Sequence, residues 1–215
     1  MKIAVVGATS QTGSQLVSQA LAAGHEVVAY VRRPEAVNPA PGLSIVGGQL
    51  NEVDKLSKAF AGCDAIALIL GWKIGQPFTP LYSIAVPAII SAANKAGVKR
   101  VIVLSALGVG DTFSNTRYPY RFGCSTFLRK HFDDHQAGES QLTGSGLNWT
   151  TIHPGPLFNG QRTASPTIMY AASGQKMPGA PRTQRADVAA AMLEMIDDPA
   201  SFGKQMLISS TQSGE

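Results

Sequence analysis

The sequence has little of what marks a nucleic-acid-binding protein. Charged residues make up only 15% of its 215 residues, the net charge is +4, and no run of Lys or Arg is longer than the pair Arg32-Arg33. Nucleic-acid-binding proteins usually gather their basic residues into one stripe or patch. A weakly basic chain of this kind fits a solvated surface that also suits small anionic ligands. We therefore expect no nucleic acid among its partners.

Cysteine and long apolar runs are equally scarce. Cys63 and Cys124 lie far apart and belong to no Cys-x-x-Cys motif. Neither a disulfide framework nor a zinc site is expected, and a reducing compartment suits the chain. No stretch approaches the roughly 18 apolar residues of a membrane-spanning helix, and the apolar start, residues 1–10, is too short for a signal peptide. These features predict a cytoplasmic protein with no membrane partner and no bound metal.

What the sequence does contain is an alternation of apolar strands and helical stripes. The strand candidates are nearly continuous apolar runs, as expected for parallel strands covered on both faces. They are Lys2–Val6, Glu26–Val31, Leu43–Val46, Ala65–Leu70, Arg100–Leu104, Asn148–His153 and Gln205–Ser209. The repeated order of strand and helix predicts an α/β fold with a doubly wound parallel sheet, the Rossmann fold. The length predicts a single domain over residues 1–215.

Three helices follow from apolar residues that recur at helical spacing. Their stripes lie at residues 16–21, 81–92 and 188–196. Gly24 suits the C-cap of the first helix. Thr79 suits the N-cap of the second, with Pro80 at its first position. Because Pro87 falls inside that second stripe, we expect a kink or a late helix start there.

A glycine pattern follows the first strand and opens the first helix. In Gly7-Ala8-Thr9-Ser10-Gln11-Thr12-Gly13, Gly7 allows a tight turn and Gly13 lets the helix pack closely on the sheet. The exposed N–H groups at the helix start attract a pyrophosphate, and Ser10 stands where a middle glycine is usual. This context predicts a dinucleotide site formed by residues 7 and 9–13 rather than an ordinary strand-to-helix turn.

The end of the second strand indicates which dinucleotide binds. NAD-binding proteins commonly place Asp or Glu there to accept from the ribose 2′-hydroxyl, whereas this strand is followed by Arg32 and Arg33. Two guanidinium groups would bind a 2′-phosphate through charge-assisted hydrogen bonds. The alternative is a pair of surface arginines in a loop before Pro34. We predict NADP(H) rather than NAD(H) as the cofactor.

At this point the sequence resembles a family, the atypical short-chain dehydrogenase/reductases. Within it, the sequence is similar to NAD(P)H-binding reductases of the biliverdin-IXβ reductase/flavin reductase type. The resemblance covers essentially the whole chain. The segments that carry it are GATSQTG, Tyr30–Arg33, VIVLSALG ending at Gly108, DDH at 133–135, TIHPGPLFNG at 151–160 and RADVAAAM at 185–192.

The resemblance implies positions for further site residues. Ser105 would lie at the end of the central strand beside the nicotinamide, where it would orient the carboxamide or the acceptor. Pro154 and Gly155 would line the cofactor after the sixth strand. Independently of the resemblance, Leu70, Gly71 and Trp72 come at the end of the fourth strand, near where the adenine or ribose would lie. Packing explains Trp72 equally well.

One feature of the better-known short-chain enzymes is missing. No tyrosine is followed four residues later by lysine, so alcohol oxidation by a lysine-assisted tyrosinate is not expected. Reduction of a flavin or a bilin does not need that pair, because hydride adds to an electron-poor ring and positioning supplies most of the catalysis. The proton would come from water or a weak acid.

Two histidines are candidates near such a site. His135 aligns with a histidine of the reductases named above and would donate the proton; otherwise it is an exposed histidine on a polar helix. His153 ends a strand and points either into the cofactor site or into the core.

Residues 106–127 form the longest irregular connection and carry most of an aromatic concentration. It comprises Phe113, Tyr118, Tyr120, Phe122, Phe127 and Phe132. These rings would sandwich a planar acceptor above the nicotinamide, or they form a small satellite core or a subunit contact.

Three functions compete at this stage. The first is an NADPH-dependent reductase of a flavin, quinone or bilin-like acceptor, active as a monomer or homodimer. The second is a non-catalytic NADP-binding sensor, as in NmrA-like proteins. The third is a sugar-nucleotide epimerase or dehydratase, which the absent Tyr/Lys pair disfavours. The fold alone does not decide among them.

Overall fold

The computed structural model describes residues 1–72 and 78–211, and within them it shows ten strands and six α-helices. The strands are β1 (Lys2–Val6), β2 (Glu26–Val31), β3 (Leu43–Gly47), β4 (Ala65–Leu68), β5 (Arg100–Leu104), β6 (Asn148–Pro154), β7 (Leu157–Phe158), β8 (Thr167–Tyr170), β9 (Thr183–Gln184) and β10 (Lys204–Ser209). The helices are α1 (Gln11–Ala22), α2 (Val53–Phe60), α3 (Tyr82–Ala96), α4 (Tyr120–Ser125), α5 (Arg129–Glu139) and α6 (Arg185–Met195).

Eight strands form one sheet in the order β3-β2-β1-β4-β5-β6-β10-β8. Every neighbouring pair is parallel except β10 and β8, which are antiparallel, and β7 and β9 form a separate parallel pair. The strand order reverses between β1 and β4, and ligands bind at such a switch point, outside the carboxyl ends of the strands. The predicted fold class, a single-domain Rossmann-type α/β sheet, is confirmed.

The core lies in two layers, one on each face of the sheet. Alternate residues of β1 show the division: Ile3 and Val5 pack on one face with residues of α1 and α6, whereas Ala4 and Val6 pack on the other with residues of α2 and α3. Side chains of successive strand residues point to opposite faces. A strand covered on both faces is therefore apolar over most of its length, which is why these strands could be recognised in the sequence.

Helix α3 begins at Tyr82, so the predicted N-cap at Thr79 is wrong. The cap comes from α5 instead, where the Asp134 carboxylate accepts the backbone N–H groups of Leu81 and Tyr82 at 2.9 Å each and that of Ser83 at 3.2 Å. The helix therefore starts where the carboxylate reaches it. It continues through Pro87, so the alternative of a late start at that residue is also wrong.

The segment 106–127 is not irregular, contrary to the prediction. It contains a 3-10 helix, Gly110–Asn115, and helix α4. Val109, Cys124 and Phe132 pack together in a small buried cluster, and the Thr112 hydroxyl accepts the N–H of Gly108 at 2.9 Å. This local core gives the segment its order.

Arg100, the first residue of β5, is buried at the edge of the sheet formed by the amino ends of the parallel strands, opposite the edge where ligands bind. Its guanidinium donates to the carbonyls of Met195 at 2.7 Å and Ile196 at 2.8 Å, where α6 ends. It also donates to the Asn148 carbonyl at 2.8 Å. A cation suits a helix C-terminus, where carbonyls lack partners and the helix dipole is negative. Burial lowers the pKa of Arg100 to about 10, against the opposing effect of Asp198.

Candidate cofactor site and active site

Gly7 forms the turn between β1 and α1 with a φ of +91°, a conformation that only glycine adopts without strain. A Cβ at this position would lie 2.1 Å from the carbonyl oxygen of Ile69. The Gly7 N–H donates to the Tyr30 carbonyl at 3.3 Å, which ties the turn to the end of β2. The first predicted glycine is therefore required both by its backbone angle and by its contact with the end of β4.

Ser10, which stands in place of the middle glycine, is the N-cap of α1. Its hydroxyl accepts the Gly13 N–H at 3.0 Å and donates to the Ile69 carbonyl at 3.3 Å. A Cβ on Gly13 would lie 2.3 Å from the Gly7 carbonyl oxygen, so the predicted close packing at Gly13 is present. A serine therefore caps the helix directly beneath the exposed turn residue Thr9.

The N–H groups of Gln11 and Thr12 find no protein acceptor within residues 1–72 and 78–211. They open a helix of 12 residues that has no acidic side chain in its first turn. Free N–H groups and the positive end of a helix dipole make an anion-binding site. The residues present fit the pyrophosphate of a dinucleotide.

Arg32 and Arg33 follow β2 directly and are exposed. Because Val6 pairs with Tyr30 across β1 and β2, the two arginines lie next to the Gly7 turn. Neither guanidinium forms an ion pair with the part of the chain that the structure describes. They are available to a ligand phosphate at this edge of the sheet.

The chain beyond β4 reaches toward α5. The strand ends at Leu68 rather than Leu70, Leu70 is half-buried, and Gly71 is exposed with open space around its Cα. The Trp72 ring stacks on His131 with centroids 3.9 Å apart and planes 10° from parallel. Trp72 thus has a packing partner, and its contact with His131 could not be predicted from the sequence.

Ser105 lies directly after β5 and is almost fully buried. Its hydroxyl is hydrogen-bonded to Oε1 of Glu139, at the end of α5. Glu139 is only 7% exposed. Burial raises the pKa of its carboxyl to about 8, although the hydrogen bond with Ser105 acts in the opposite direction. The predicted site residue Ser105 is therefore paired with a carboxyl group that is mostly protonated at neutral pH.

Glu139 was not among the predicted site residues, although the sequence carries a signal for its burial. Phe132, His135, Glu139 and Leu142 are buried at the spacing i, i+3, i+7 and i+10. That spacing is the apolar stripe of a helix that packs on a core. The stripe was hidden because histidine and glutamate fill two of its positions.

His153 is fully buried in β6, behind Ser105. Its Nδ1 lies 3.0 Å from the Ala106 carbonyl oxygen, and because a carbonyl only accepts, Nδ1 carries the hydrogen. Its Nε2 lies 2.8 Å from the Thr151 hydroxyl and 3.6 Å from Oε2 of Glu139. Burial lowers the pKa of His153 to about 4, so His153 and Glu139 form a neutral pair rather than an ion pair.

His135 is also buried, so the alternative of an exposed histidine is wrong. Its ring stacks on Tyr82 with centroids 3.6 Å apart. Burial lowers the pKa of His135 to about 3, and the opposing effect of Asp134 is smaller. The Tyr82 hydroxyl lies 2.9 Å from the Leu70 carbonyl oxygen and 2.6 Å from that of Leu104, so it bridges the ends of β4 and β5.

Pro154 and Gly155 form a narrow wall beside Ser105. The Pro154 carbonyl accepts the N–H of Leu107 at 2.8 Å, which extends the pairing of β5 and β6 beyond Leu104. A Cβ on Gly155 would lie 2.8 Å from the Pro181 Cβ, so the chain is packed closely there. The wall has few side-chain atoms.

The aromatic residues divide into two groups. Phe132 is buried, Phe113 lies under the Arg121 guanidinium, and the Tyr120 hydroxyl donates to the Leu107 carbonyl at 2.9 Å. The second group, Tyr118, Phe122 and Phe127, is 60–77% exposed. Between α4 and α5 lies an open cavity of about 280 Å³. Its lining includes Gly108, Phe113, Cys124, Arg129 and Phe132.

The same ranges, 1–72 and 78–211, hold no group of three or more His, Cys, Asp or Glu side chains arranged to bind a metal ion. None of the helices described there is both long and apolar enough to cross a membrane. Cys63 and Cys124 are separate, buried free thiols.

The sequence profile of a family described as NAD(P)H-binding matches residues 7–199. Among curated proteins, an uncharacterised chloroplastic protein of Arabidopsis thaliana is 31% identical over 76% of this chain and 62% of its own length. A photosystem II assembly factor of a Synechocystis species is 33% identical over 50% of this chain and 34% of its own length. The chain thus spans about three fifths of the first relative and a third of the second.

Solved structures share the fold over nearly the whole chain. An oxidoreductase of Lactococcus lactis has a TM-score of 0.81 at 24% identity, covering 99% of this chain and 92% of that one. A short-chain dehydrogenase/reductase of Veillonella parvula in complex with NADP has a TM-score of 0.82 at 16% identity, covering 99% and 95%. An anaerobilin reductase of Escherichia coli O157:H7 has a TM-score of 0.80 at 22% identity, covering 97% of each chain.

Proposed function

Because this chain belongs to the family of NAD(P)H-binding proteins, we propose that it is an NADPH-dependent reductase of a conjugated planar acceptor. The acceptor would be a flavin, a quinone or a bilin-like molecule. One observation carries the proposal: the turn at Gly7–Gly13, with its free N–H groups, lies at the same edge of the sheet as Ser105. That edge, near the reversal of strand order, is where open α/β sheets bind ligands.

NADPH is our choice of cofactor because of Arg32 and Arg33. Both are exposed beside the Gly7 turn and neither has an ion-pair partner in the described ranges. A ribose 2′-phosphate would supply the anion that these guanidinium groups lack. NADH has only a hydroxyl there and would gain little from them.

The acceptor, in this proposal, lies between Ser105, the wall at Pro154 and Gly155, and the segment 106–127. A reduced nicotinamide bound there would supply a hydride to the ring. Ser105 would orient the acceptor or the carboxamide, and the wall with few side-chain atoms suits a flat molecule. Tyr118, Phe122 and Phe127 expose aromatic faces that would stack on it. The fold shared with a protein named as an anaerobilin reductase supports this acceptor class.

His135 is not the proton donor in this proposal. Its pKa of about 3 means that the ring is neutral at physiological pH, and it is stacked on Tyr82 within the fold. Its role is to pack α5 against α3. The proton comes from elsewhere at this edge of the sheet.

The decisive experiment is steady-state oxidation of NADPH with a panel of flavins, quinones and bilins. We expect turnover with at least one acceptor, and faster turnover with NADPH than with NADH. Tight NADPH binding without oxidation in the presence of any acceptor would overturn the proposal.

That outcome would favour a second candidate, an NADP-binding protein that acts through a partner. A relative named as an assembly factor and three exposed aromatic side chains on one segment favour this alternative. For either function we propose a reducing compartment such as the cytoplasm, which suits the two free thiols.

A further inference from the structure

We propose that Glu139 stores the proton for this reductase and that Ser105 passes it to the acceptor. The inference rests on the proposed function and adds to it the origin of the proton. Its geometric basis is the direct hydrogen bond between the Ser105 hydroxyl and Oε1 of Glu139, inside a pocket where both residues are at least 93% buried. Ser105 follows β5 at the carboxyl edge of the sheet, between Glu139 and the proposed acceptor position.

The surroundings of Glu139 keep its proton in place. His153 faces it from β6 and Tyr82 from α3, and His135 lies four residues earlier in its own helix. None of the three is positively charged at neutral pH, because burial lowers the pKa of both histidines to about 4 or below. A buried carboxyl without a cation beside it favours its neutral form. The pKa of about 8 for Glu139 follows from this enclosure.

The protonation state of Glu139 decides which way the Ser105 hydroxyl points. A protonated Glu139 donates to Ser105 Oγ, so the serine hydrogen is free to point toward the acceptor. An ionised Glu139 only accepts, so it draws the serine hydrogen inward. Glu139 therefore also orients the Ser105 hydroxyl, which donates toward the acceptor only while Glu139 is protonated.

Hydride from NADPH forms a new C–H bond on the acceptor, which is reduced by two electrons as NADPH is oxidised to NADP⁺. Ser105 gives its hydroxyl proton to the acceptor heteroatom that gains negative charge, and Glu139 gives its proton to Ser105 Oγ. Glu139 is left as a carboxylate and takes a new proton from solvent before the next turnover.

The test replaces Glu139 with glutamine, which preserves size and a hydrogen bond to Ser105 but carries no acidic proton. General-acid catalysis contributes about 10²–10⁴-fold, so we expect kcat of Glu139→Gln to fall by about 10²-fold or more, with an unchanged Kd for NADPH. In the wild type, kcat should fall as pH rises through about 8, and this decline should be absent in the variant. Glu139→Asp, which restores an acid, should recover part of kcat and the decline.

Two controls separate a proton store from a structural role. Glu194→Gln makes the same change on an exposed carboxylate that pairs with Arg162, and it should leave kcat and its pH profile as in the wild type. The infrared band of a protonated carboxyl should be present at pH 7 in the wild type, disappear above pH 8 and be missing from Glu139→Gln. If Glu139→Gln does not fold, Ser105→Ala tests the same relay and should also abolish the decline.

The outcomes distinguish this inference from the function on which it rests. If the wild type reduces no acceptor, the proposed function is wrong and the inference is wrong with it. If the wild type is active and Glu139→Gln keeps both kcat and the decline near pH 8, the reductase stands and the proton store is refuted.

Discussion

The carboxylate of Asp134 caps a helix to which Asp134 does not belong. It accepts the backbone N–H of Tyr82, 52 residues earlier in the chain, at 2.9 Å. The ring of Tyr82 then stacks on His135, the residue after Asp134. Two adjacent residues of α5, Asp134 and His135, thus hold α3 and α5 together. Glu139 lies at the end of the same helix.

Asp134→Ala is expected to destabilise the fold. Loss of an N-cap costs about 0.5–2 kcal/mol, and here three N–H groups lose their acceptor at once. The effect should reach the upper end of that range in urea unfolding. Asp133→Ala is the matched control, since the Asp133 carboxylate is exposed and its ion pair with Arg129 is long, at 3.9 Å. Equal stability of the two variants would contradict this account of the helix start.

The same cap should depend on pH. Burial raises the pKa of Asp134, but the hydrogen bonds from Ser83, Tyr82 and Leu81 together lower it by more. A carboxyl with a depressed pKa in the folded state stabilises at neutral pH, and that stabilisation is lost as pH falls through the folded-state pKa. The difference in unfolding free energy between wild type and Asp134→Ala should therefore shrink in acid, and a difference independent of pH would exclude the ionised cap.

Replacing both Arg32 and Arg33 with alanine should weaken NADPH binding selectively. Hydrogen bonds to charged groups contribute about 1.5–3 kcal/mol each, so one such bond per arginine gives a loss of several kcal/mol for NADPH. The Kd of NADH should barely change. Titration calorimetry with both cofactors measures the difference, with Arg162→Ala as a control on an arginine already paired with Glu194. Equal affinities of the unmodified protein for NADPH and NADH would refute the assignment.

No tyrosine should act as a catalytic base. Tyr118 is 77% exposed, and burial raises the pKa of both Tyr82 and Tyr120 far above neutrality. Tyr118→Phe should leave kcat within about twofold of the wild type. Tyr120→Phe should keep turnover and lose stability, since its hydroxyl bonds to the Leu107 carbonyl and the Cys124 thiol, at about 1 kcal/mol for each hydrogen bond. Loss of turnover in either variant with intact fold and cofactor binding would show that a tyrosinate is required.

The exposed rings should contribute to acceptor binding rather than to the fold. Alanine at Tyr118, Phe122 and Phe127 together should raise KM for the acceptor by roughly tenfold or more, since aromatic pairs contribute about 0.5–1.5 kcal/mol each. Kd for NADPH should stay unchanged. Ile84→Ala, on the exposed side of α3, is the control for simple loss of apolar surface. An unchanged KM in the triple variant would move the acceptor away from this segment.

The sequence predicted the sheet better than it predicted the helices. β1, β2 and β5 are confirmed to the residue, because each is a continuous apolar run after its charged first residue. The start of α3 could not be found, since its cap comes from Asp134 on another helix. The order within 106–127 was missed because it depends on a cluster that Phe132 completes from α5.

The residues of the candidate site likewise divide into those that could be predicted from the sequence and those that could not. The Gly7–Gly13 turn could be predicted because local backbone geometry demands glycine at both ends. Glu139 was missed because histidine and glutamate interrupt the apolar stripe of α5, and only the fold places Glu139 beside Ser105 and His153. The edge strand β8 was also missed: it has only four residues, and none of them is fully buried.

Arg100 and Ser105 stand at opposite ends of the same strand, about 16 Å apart at 3.3 Å per residue. The guanidinium anchors the end of α6 at one edge, while the hydroxyl and its acid partner occupy the other. The groups that hold the end of α6 are therefore separate from those of the proposed proton relay. In the proposed reductase, substitutions at the amino-terminal edge and substitutions at the carboxyl edge can change stability and proton supply independently.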